Sequence, residues 1–65
     1  FTRAFAAVVE GAVLISRLRM TPRAEMEPEL ARLAIIVEKT AGPAEREAWG
    51  WLAQAAQAHW RGQGG

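Results

Sequence analysis

The sequence predicts an all-α fold, a three-helix unit completed by a partner chain, and three observations carry that expectation. The first is residues 1–20, which are apolar around almost their whole girth. At 100° per residue Arg3, Glu10 and Arg17 fall seven apart on one narrow polar stripe, and the other positions are mostly apolar or small. Such a helix needs cover on several sides. The second is that two later stretches repeat apolar residues at intervals of three and four, the period of a helix with one wet face. The third is size: 65 residues without a cysteine lie near the limit at which a single core is self-sufficient, and no disulfide can supplement it.

The first helix is expected over residues 2–18, reaching at most Met20. Thr2 can cap it, and Arg17, Arg19 and Arg23 place positive charge at its C-terminal end, where the helix dipole favours it. Val8, Val9, Val13 and Ile15 are β-branched and cost some helicity. Strict alternation is missing, however, and a run of this length fits a helix covered all round better than a strand. Ala4, Ala7 and Gly11 form a seam of small residues that lets another helix approach closely.

Thr21-Pro22 reads as the start of a short helical turn, and Glu27-Pro28-Glu29 as the start of the second helix proper, over residues 28–40. Leu30, Leu33, Ala34, Val37 and Ala41 give it one apolar face, widened by Ile35 and Ile36; Glu29, Arg32, Glu38 and Lys39 stay wet. Gly42 ends that helix and Pro43 begins the third, expected to run to about residue 60 with Glu45 and Glu47 in its first turn. Trp49, Leu52, Ala53, Ala56 and Trp60 share one flank; Trp51 lies at its far edge beside Ala55 and Ala58. Each indole offers on the order of 200 Å² of surface, enough to anchor a core or an interface. Residues 62–65 read as a frayed end of a single small domain, which the chain either constitutes or is cut from.

Composition narrows the function. Eight basic and seven acidic residues leave a net charge of +1, too weak a field to gather nucleic acid or anionic lipid. Charges interrupt the most hydrophobic stretch, leaving no run near the roughly 20 apolar residues of a membrane span and no signal-peptide pattern. A cytoplasmic location is the default. Asp, Asn, Cys and Tyr are absent, and there is one histidine, His59, and one lysine, Lys39. That inventory removes Ser-His-Asp, Cys-His and Asp-dyad constellations, so no enzyme, catalytic residue, metal site or cofactor is expected. His59, on the polar flank of the third helix, reads as a capping or solvated residue. Glu25, Glu27 and Glu29 read as dipole and solubility charges, and the arginines as dipole compensation and ion pairs such as Arg3 or Arg17 with Glu10.

The segment from Val9 to Leu18, followed by Glu29-Leu30 and a second apolar helix, resembles the last two helices of the C-terminal domain of TetR-type repressors. The likeness covers residues 4–38 and lacks the DNA-binding headpiece. It implies a dimer interface beside an effector pocket, with Gly11 and Ala12 at the helix crossing. Ala31, Ile35, Pro43, Trp49, Leu52 and Ala53 resemble the small, bulky and proline positions of a tetratricopeptide helix pair, from which Glu38 departs at a small position.

These readings converge on a non-catalytic protein–protein interaction or oligomerisation module. Its partner would be itself, as a homodimer, or a larger assembly. The expected interface residues are Phe1, Ala4, Phe5, Val8, Gly11, Ile15, Leu18, Trp49, Leu52 and Trp60. The alternative is the ligand-binding and dimerisation part of a TetR-like transcription regulator, with Val8, Leu14, Trp49 and Trp51 lining an apolar pocket.

Overall fold

The computed structural model describes residues 2–64. It consists of α1 (Arg3–Ile15), α2 (Arg23–Thr40) and α3 (Pro43–Gly64), with no strand among the described residues. The all-α, three-helix expectation holds.

Thr2 caps α1 as expected: its backbone is extended and its Oγ1 accepts from the Phe5 N–H at 3.0 Å. The helix stops earlier than expected, at Ile15. Ser16 occupies the C-cap and its hydroxyl donates to the Val13 carbonyl at 2.6 Å. The chain then tightens: Arg17 N–H donates to Leu14 O at 2.9 Å, Leu18 N–H to Ile15 O at 3.2 Å, and Met20 N–H to Arg17 O at 2.9 Å. These three-residue turns bring Leu18 into the core beside Met26, Ala56 and Trp60. Arg17 and Arg19 therefore lie beyond the helix, and its last turn holds no basic residue.

Pro28 does not start α2. The helix is continuous from Arg23, with Pro22 in the N-cap position and no side-chain cap, so Thr21 does not take that role. A proline at this depth removes one backbone hydrogen bond and disfavours the helical conformation of Glu27. Burial of Met26 on the preceding turn opposes that cost. Met26 is 1% exposed and, with Leu33, is one of the two largest fully buried side chains among the described residues.

The α2–α3 joint follows the expected punctuation. Ala41 turns the backbone to an extended conformation and α3 starts at Pro43. The Glu45 carboxylate accepts from the Gly42 N–H at 3.4 Å, one half of a capping box. Arg46 reaches back to the Ala41 and Glu38 carbonyls at 3.4 and 3.2 Å, satisfying groups that the end of α2 leaves open. At its far end α3 continues beyond residue 60, as a helix to Gly64.

The core has two parts. Ala7, Leu33 and Val37 form one, with Trp49 and Val8 packed against it; Leu18, Met26, Ala56 and Trp60 form the other, and Leu14 touches both. Only Ala4, Ala7 and Gly11 of α1 are buried. As its length leads one to expect, this chain does not cover α1 all round: Phe5, Val9 and Val13 are 45, 48 and 47% exposed. α2 and α3 enclose one side of α1 and leave its opposite side to water.

Candidate functional site

Two neighbours divide the surface of α1. Ala7 faces Leu33 and Val37 of α2. Glu10 accepts from Arg32 of α2 at 3.0 Å, in place of the expected pairing with Arg3 or Arg17. Gly11 faces α3 so closely that a β-carbon there would lie 2.5 Å from the Trp49 ring. Continuing around the helix past Gly11, the next positions are Val8, Ala12, Phe5 and Val9, then Val13. The same walk on α3 starts from Trp49 and Trp60, passes Ala56, Glu45, Leu52 and His59, and arrives at Ala48, Ala55 and Trp51. The first walk ends on the outer side of α1 and the second on the outer side of α3. Trp51 is 68% exposed, and Ala12 and Ala55 are exposed as well.

Of the charged residues of α1 and α3, Glu45 lies at the start of α3, where it accepts from the Gly42 N–H. Arg3 and Glu10 lie on the α2 side of α1, Arg46 is held by α2 carbonyls, and Glu47 and Arg61 fall beyond Trp51. Arg32 donates to both Glu10 and Glu29. These hydrogen bonds, Glu29 first and then Glu10, hold its guanidinium above its ordinary range. A raised cationic group contributes below its unfolded pKa and loses that contribution only as pH rises through the folded value. For arginine that window is strongly alkaline, so this pairing carries no pH dependence near neutrality.

The expected interface set falls largely inside the chain. Ala4, Gly11, Leu18 and Trp60 are buried, Val8, Ile15, Trp49 and Leu52 are partly buried, and Phe5 is exposed; Phe1 lies outside the described residues. The seam at Ala4, Ala7 and Gly11 is thus buried within the chain: Gly11 admits α3's Trp49 and Leu52, and Ala7 packs on Leu33 and Val37 of α2. The expected pocket is not assembled either. Val8 and Leu14 pack into the core, and Trp51 turns to solvent. Only Trp49 lines a hollow, an open groove of about 330 Å³ between α2 and α3. Leu30, Ala31 and Ala34 form one wall, Trp49, Ala53 and Trp60 the other.

His59 departs from its expected solvated position: it is partly buried, and its Nε2 is buried without a hydrogen-bond partner. Glu27 pairs with Arg23, whose guanidinium also lies 4.8 Å from the Trp60 ring centroid, tying the start of α2 to the end of α3. Among the described residues no group of three or more metal-ligating side chains gathers, and no helix is long and apolar enough to cross a membrane.

The fold defines a small all-α unit with exposed apolar residues on α1 and α3 and an apolar groove between α2 and α3. A family model described as "Protein of unknown function (DUF447)" matches residues 2–54, and the chain belongs to that family, DUF447_C. No curated protein and no solved structure matches it.

Proposed function

We propose that this chain is a non-catalytic helical interaction module that docks through the exposed apolar residues of α1 and α3. The observation that supports this reading is the exposure of Phe5, Val9 and Val13 on α1 and of Trp51 on α3, each about half exposed or more. Scattered exposed apolar residues are ordinary, but a continuous patch containing an aromatic projection is characteristic of association surfaces. The experiment is site-specific photo-crosslinking in cells, with benzoylphenylalanine placed at position 51 or 9 and, as control, at position 38 on α2. Discrete adducts from 51 and 9 but not from 38 are expected. If 51 and 9 give none, this reading fails.

A second reading, the effector-binding part of a TetR-like transcription regulator, is favoured by the α2–α3 groove with its two indoles. Its test is a change in Trp49 and Trp60 emission on titration with a small apolar compound.

A further inference from the structure

We draw no further inference here: the strongest candidate, the exposed apolar side of α1 at Phe5, Val9 and Val13, carries nothing beyond the proposed function, because nothing in the structure shows what covers it.

Discussion

At the scale of single residues, Gly11 has the clearest assignment. Glycine inside a helix costs about 1 kcal/mol relative to alanine, and the position repays that cost by letting the Trp49 ring lie against the backbone of α1. A β-carbon would meet the ring's Cζ3 at 2.5 Å, too close for Trp49 to remain where it is. Trp49 also packs on the Ala7–Leu33–Val37 cluster, so its displacement propagates. Gly11→Ala should therefore destabilise the fold by about 1–2 kcal/mol, the overpacking cost exceeding the gain in helix propensity. Urea denaturation followed by circular dichroism measures it, and a variant as stable as wild type would show that the indole yields freely. The small-residue seam was legible in the sequence because Ala4, Ala7 and Gly11 recur at helical spacing. Which helix uses the seam was not, since a neighbour in the same chain and one in another chain require the same small residues. His59 was misread for a related reason: a position near the edge of the wheel changes environment with a small rotation of the helix.

At the scale of elements, Thr2, Gly42 and Pro43 marked their boundaries correctly because caps act locally, through bonds made within one turn. Pro28 did not, because its effect competes with burial that no local pattern reveals. Met26 and Leu33 are fixed in the core on either side of it, and together they hold the first turns of α2 helical despite the missing hydrogen bond. Pro28 is exposed, so nothing it touches is lost by replacing it. Pro28→Ala should stabilise the chain by about 1–2 kcal/mol, less than the full proline penalty because alanine also frees the unfolded chain. Thermal denaturation should show a higher midpoint. A lower midpoint would mean that the proline directs the path of α2 across α1. Leu18 carries the same lesson at the end of α1. Its hydrophobicity suggested one more helical turn, whereas the tight turns after Ile15 were required to aim it at Met26 and Trp60.

At the scale of the whole molecule, α1 packs on α2 and on α3 more extensively than those two pack on each other. That arrangement leaves both candidate features: a groove where α2 and α3 part, and exposed apolar residues on α1 and α3. Their chemistry separates the two functional readings. At about 330 Å³ the groove matches the smallest ligand sites. Its polar groups are at the margin: Glu27 is engaged by Arg23, and Gln57 is the other polar residue in the lining. An apolar compound would enter without an orienting hydrogen bond and with one side toward water, so little of its surface would be buried and little affinity gained. Titrating N-phenylnaphthylamine into the Trp51→Phe variant isolates the response of Trp49 and Trp60, which line the groove, from that of the exposed indole. Energy transfer should rise without saturation below about 100 µM, the behaviour of weak partition rather than of a site. A saturable transition with one equivalent bound in the low micromolar range would instead assign the groove a ligand, and would favour the regulator reading over association through the exposed apolar residues of α1 and α3.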